Sequence, residues 1–113
     1  MRSTGGPKRG DIVRVRLDPV EGSALVLSPD FINERSPVIL IASITSQKTE
    51  RVYPFETLLE PPEGGLRYRS KVLLMHVRSI DKRRLAGHYG TVTAETMLRV
   101  EAALKVATGL TRL

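Results

Sequence analysis

The run PVILIASIT at residues 37–45 most constrains what this chain can fold into. It is apolar and β-branched, far too short to cross a bilayer, and therefore reads as a strand buried in a small core. It then ends in Thr45-Ser46-Gln47, two hydroxyls and an amide, instead of a Gly- or Asn-rich turn. Counting by two from Ile39 puts Ile41, Ser43 and Thr45 on one face, so Thr45 emerges where the apolar face runs out. Two readings of that hydroxyl stand side by side: a Ser/Thr turn that closes the strand, or a rigidly held functional group.

Further strands follow from the same logic. Residues 11–17 alternate, with Val13, Val15 and Leu17 opposite Arg14 and Arg16, and Asp18-Pro19 stops the run. Residues 24–27, 51–59 and 70–80 are three more candidates, and Pro61-Pro62 with Gly64-Gly65 marks a loop between the last two. Asp81 is placed to cap a short helical turn through Leu85, after which Gly87 and Gly90 are expected to break the chain. A final helix has Thr93 as N-cap, Met97, Val100, Leu104 and Ala107 at helical spacing, and Gly109 at the C′ position. Glu95 with Arg99 and Glu101 with Lys105 are spaced as i,i+4 pairs. The predicted architecture is mainly β with helices (α+β), a small barrel or curled antiparallel sheet covered by a C-terminal helix. Residues 1–8 are expected to form a flexible arm and residues 9–113 a single domain.

The 113-residue chain has 18 Lys+Arg against 12 Asp+Glu, a net charge of +6 that favours polyanionic partners. Arg67, Arg69, Lys71, Arg78, Lys82, Arg83 and Arg84 crowd one segment with Asp81 as its only acid. On one face they would make a field that attracts a phosphate backbone; dispersed, they would be an ordinary solvated surface. Only 4% of residues are aromatic, so extended base stacking cannot dominate recognition. With no cysteine, thiolate metal sites and disulfides have nothing to build on. No apolar segment approaches membrane-spanning length, and cytoplasmic residence is expected.

The titratable residues point to few mechanisms. His76 and His88 could form a two-imidazole ribonuclease, but alternation sets His76 with Val72 and Leu74 as a core or interface residue, while His88 sits in an exposed-turn context. Neither a metal-ligand spacing nor a phosphate-binding Gly-rich loop occurs, and no cofactor is expected.

Several stretches, taken together, resemble the MazF/PemK family of toxin endoribonucleases: Lys8-Arg9-Gly10-Asp11-Ile12-Val13, Leu17-Asp18-Pro19, Gly22-Ser23, Ala24-Leu25-Val26-Leu27-Ser28-Pro29, Ile44-Thr45-Ser46-Gln47, Tyr53-Pro54-Phe55-Glu56 and Val77-Arg78-Ser79-Ile80-Asp81-Lys82. The resemblance implies an SH3-like barrel of the CcdB/PemK type, a homodimer, and metal-independent, sequence-specific cleavage of single-stranded RNA to 2′,3′-cyclic phosphate and 5′-hydroxyl ends. It also implies a cognate MazE-like antitoxin and DNA binding by the toxin–antitoxin complex. Thr45 matches the family's catalytic threonine. Gly22, Ser23, Ser28, Ser46, Gln47, His76 and Arg78 fall at positions that the resemblance associates with the RNA groove. The same resemblance predicts a loop like Glu-Gln-x-Gly-x-Arg-Pro between Ser23 and Ala24, which run together here; that loop is expected in the complete protein. Two alternatives share the fold: a CcdB-like gyrase poison, and an RNA- or antitoxin-binding module without catalysis.

Overall fold

A computed structural model of the chain describes residues 6–113. Six strands, β1 (Asp11–Arg16), β2 (Glu21–Val26), β3 (Val38–Thr45), β4 (Glu56–Leu59), β5 (Ser70–Asp81) and β6 (Leu85–Thr91), form one antiparallel sheet in the order β4-β5-β3-β2-β1-β6. A short helix α1 (Asp30–Arg35) joins β2 to β3, and α2 (Ala94–Ala107) ends the fold. This is the expected curled sheet with a C-terminal helix.

Alternation gives the sheet two apolar faces. Ile12, Leu25, Ala42, Leu59, Val72 and Leu74 pack with Val100 and Ala103 of α2. Val13, Val15, Ala24, Val26, Ile39, Ile41 and Ile80 make a second cluster on the opposite face. Each fully buried Val, Ile or Leu contributes about 1.5–3 kcal/mol relative to exposure, so β3, which supplies both clusters, anchors the fold. The predicted helix forms as expected. The Thr93 hydroxyl accepts the Thr96 N–H, and at the other end Leu110 N–H reaches Lys105 C=O while Gly109 N–H reaches Val106 C=O, with Gly109 at φ +77°.

The sheet differs from expectation at several points. Gly87 and Gly90 do not end regular structure but lie inside β6, which pairs with β1 through two register irregularities. Gly90 is needed there because a Cβ would fall 2.6 Å from the Gly64 carbonyl carbon. One on Gly65 (φ +78°) would lie 2.2 Å from the Tyr89 oxygen. The 64–65 turn is thus seated directly on β6 and closes the curl. The strand predicted over residues 51–59 is confined to β4, since residues 51–55 are an exposed to half-buried loop. Glu101 is held by Arg9 at 2.8 Å instead of by Lys105. Of the expected N-terminal arm, residues 1–5 lie outside the described residues, whereas Pro7 is buried and Lys8 N–H donates to Asp11, so order begins before Arg9.

The loop expected between Ser23 and Ala24 is corrected by the chain itself. The two residues are consecutive in β2, where Ser23 pairs with Arg14 and Ile44 and Ala24 with Val13 and Ser43.

Candidate active site

The register of the sheet determines which predicted residues can meet. Thr45 lies opposite Lys71 of β5, and the β2–β3 pairing of Ser23 with Ile44, carried one residue further, sets Gly22 level with Thr45. Cross-strand partners share a face, so Gly22, Thr45 and Lys71 form one row. Gly22 has no side chain to cover its neighbour, which leaves the half-buried Thr45 accessible. The Thr45 Oγ1 accepts the Gln47 N–H at 3.0 Å. The turn reading holds, and because the turn uses only a lone pair of the oxygen it does not compete with donation of the hydroxyl proton to an acceptor.

Lys71 organises what surrounds this row. It precedes the apolar run Val72–Met75 of β5, with its side chain only 6% exposed, and its Nζ donates to Glu56 Oε1 and to the Arg51 carbonyl, both at 2.9 Å. Glu56 also accepts the Tyr53 N–H at 3.1 Å. Loop 46–55, which follows Thr45, is thereby tied back to the strand position facing Thr45. On its outer side Arg51 donates to the Tyr53 hydroxyl at 3.2 Å, its guanidinium 5.8 Å from that ring, and Tyr53 stacks on Phe55 at 5.3 Å. The Tyr53 hydrogen bond raises the guanidinium pKa further above its ordinary range. Sequence reasoning passed over this cluster; the signal was the lysine at position 71, set among apolar residues that otherwise alternate between buried faces.

A second cleft, of ≈ 560 Å³, opens on the other face, bordered by Ser23, Ser46, Arg67, Tyr68, Ser70 and Tyr89. Among the described residues, no group of three or more His, Cys, Asp or Glu side chains is placed to hold a metal ion. No helix there is long and apolar enough to cross a membrane.

A family model described as PemK-like, MazF-like toxin of type II toxin–antitoxin system matches residues 8–108. The chain belongs to this family. Endoribonuclease EndoA of Bacillus subtilis is 33% identical over 110 residues, covering 91% of this chain and 95% of that protein. The MazE–MazF complex of Deinococcus radiodurans (form II) contains a chain 28% identical, with a TM-score of 0.76 over 92% of this chain and 96% of that one. An endoribonuclease in complex with its cognate antitoxin from a mycobacterial species matches at a TM-score of 0.84 and 24% identity, covering 96% of this chain and all of that one, and shares the fold.

Within this PemK/MazF-like chain, the predicted site residues divide. Thr45 and Gln47 come together at the end of β3, and Gly22 directly precedes Ser23, where the β2–β3 ladder ends. Ser23 and Ser46 border the opposite cleft instead. Ser28 is corrected: it is 4% exposed, and its hydroxyl is taken up inside the fold by Asn33 and by the Leu40 N–H, so it lines no cleft. His76 is not a core residue either. The β3–β5 register shifts between Ala42 and Ser43, whose partners are Val77 and Leu73, and the extra residues of β5 carry His76 to the surface. Three strands separate β5 from β6, which carries His88, and His88 Nε2 is 3.4 Å from Asp11. Arg78 is exposed opposite Ile41, on the Thr45 face and about 13 Å along β3 from it. The basic segment does not form one patch: Lys71 is buried, Lys82 is bonded to the Asn33 carbonyl, and Arg69, Arg83 and Arg84 pair with Glu60, Asp81 and Asp18.

Proposed function

We propose that this chain is an endoribonuclease toxin that cleaves single-stranded RNA at Thr45. The observation that carries the reading is the Thr45 hydroxyl, fixed by the Gln47 N–H on a row opened by Gly22, in a chain of the PemK/MazF family. The reaction needs only water as a proton carrier. The ribose 2′-oxygen attacks the adjacent phosphorus as its proton passes to water; the bond to the 5′-oxygen breaks, and that oxygen takes a proton from water. The products are a 2′,3′-cyclic phosphate and a 5′-hydroxyl. As negative charge gathers on the non-bridging oxygens, the Thr45 O–H donates to one of them, a stabilisation that grows toward the transition state. Arg78 and the net positive charge help to hold the backbone. The toxin works as a cytoplasmic homodimer and is restrained by a cognate antitoxin whose acidic segment competes for the same groove.

Incubation of the purified protein with a long mixed-sequence RNA in EDTA tests this. Discrete fragments whose upstream ends carry cyclic phosphate are expected; uncut RNA rejects the nuclease reading.

One observation favours a second reading. Continuous pairing through Ser23-Ala24 leaves this chain without the loop carboxylate and guanidinium that the family resemblance implies. A module that binds RNA or antitoxin without cutting would be the result, and RNA retained on a filter but left intact would identify it.

A further inference from the structure

We propose that Arg51, oriented by Tyr53, forms a phosphate-binding contact beside Thr45, supplying from loop 46–55 the guanidinium that β2 does not provide. The inference rests on the nuclease reading above and names a residue for the same site. Four observations lead to it. Lys71, the cross-strand partner of Thr45, donates to the Arg51 carbonyl at 2.9 Å, so the Arg51 backbone is one lysine side chain from the strand position that faces the hydroxyl. Among the described residues Arg51 has no carboxylate partner; its side chain donates to the neutral Tyr53 hydroxyl, which orients the guanidinium without neutralising it. The pair is exposed, as a contact for a large ligand must be. Tyr53 stacks with Phe55 at an interplanar angle of 1° and has the Arg51 guanidinium and the Lys71 ammonium over its ring at 5.8 and 5.9 Å, so the ring that orients the guanidinium is itself held in place.

Two other arginines without a carboxylate partner are placed less well. Arg67 borders the cleft on the opposite face from Thr45, and Arg78 stands about 13 Å along β3. Of these three, it is Arg51 whose backbone is tied to Lys71, the cross-strand partner of Thr45. Its chemistry is electrostatic: a planar fork of N–H donors matches two phosphate oxygens and strengthens its hold as the phosphorane develops, while the attacking and leaving protons still travel by water.

The test compares full-length wild type, Arg51→Ala, Arg51→Lys and Arg67→Ala. Cleavage is followed on a single-stranded RNA, and binding on its uncleavable 2′-O-methyl counterpart over a salt series. Arg51→Ala is expected to keep its thermal midpoint, lose about 100-fold in kcat, and bind with a log–log salt slope smaller by about 0.7. Arg51→Lys is expected to recover the salt slope but little of kcat, because a point charge does not reproduce the fork. Arg67→Ala should behave as wild type. Arg51→Ala within about threefold of wild-type kcat, with an unchanged slope, overturns the assignment and leaves the nuclease reading intact. A loss confined to Arg67→Ala overturns it in favour of the opposite cleft. Wild-type protein that cuts no RNA removes the nuclease reading and Arg51's role with it.

Discussion

Lys71 and Glu56 form a 2.9 Å ion pair with side chains only 6% and 9% exposed, at the strand position facing Thr45. Burying two charges costs several kcal/mol, and the pair offsets that cost only while both partners remain. Glu56→Ala should therefore destabilise the fold by about 3–5 kcal/mol, since it strands a buried ammonium, whereas the double change Lys71→Met with Glu56→Leu should be close to neutral. Urea denaturation of the two variants checks this. Equal losses in both would mean that the ion pair is not what makes the single change costly.

Thr45→Ala tests the hydroxyl separately from the turn it closes. Loss of one exposed hydrogen bond should cost about 0.5–1.5 kcal/mol, leaving a folded protein with affinity for uncleavable RNA, while the cleavage rate falls about 100-fold or more. Thr45→Ser, which keeps the oxygen, should retain a measurable part of the rate. Single-turnover cleavage beside a thermal melt distinguishes the two effects.

Asp81 supplies a pH-dependent element. Its side chain accepts hydrogen bonds from the Arg83 side chain and backbone N–H, and these hold its pKa at about 2, below the ordinary 3.8. A carboxyl depressed on folding contributes stability above its unfolded pKa and loses it as pH falls through the folded value. This capped turn should be intact at neutral pH and weaken between about pH 4 and pH 2. An NMR titration of the Asp81 carboxyl should give a midpoint near 2. A midpoint at the ordinary value would show that the cap does not form in solution.

Gly65→Ala should be much more damaging than Gly22→Ala. Gly65 has φ +78°, and a Cβ there would overlap the Tyr89 backbone oxygen, whereas at Gly22 it would meet only Leu17 Cδ1 at 3.5 Å. The strained backbone alone is worth about 1–3 kcal/mol, and the collision adds to it. Gly22→Ala should instead leave both stability and the cleavage rate nearly unchanged, since the added methyl reaches no atom of Thr45. Denaturation midpoints and cleavage rates of both variants provide the comparison.

Local chemistry made much of this fold legible. The apolar run 37–45 is β3 but for its first residue, and Thr93 and Gly109 mark the ends of α2 through hydrogen bonds that their residue types favour. What escaped was set by pairing between distant segments. The bulge in β5 turns His76 outward although its alternation with Val72 and Leu74 points inward, because register belongs to two strands and not one. Gly87 and Gly90 look like breakers, yet β6 forms because β1 offers it a partner and the 64–65 turn needs the room. In the candidate site, the exposed end of β3 at Thr45 was visible from the point where the strand's apolar face ends. The tie from Lys71 to Glu56 and Arg51 joins three separate segments, so no spacing within any one of them reveals it.

The contact of residues 64–65 with β6 has a consequence for how the molecule can diversify. Where main chain rests on main chain, there is no side-chain volume to trade, so no compensating change elsewhere can make space for a larger residue. Tyr68 and Tyr89, flanking this seam beside the second cleft, can vary in size and polarity without loosening it. The join between the two ends of the sheet must stay bare, while the walls on either side are open to new chemistry.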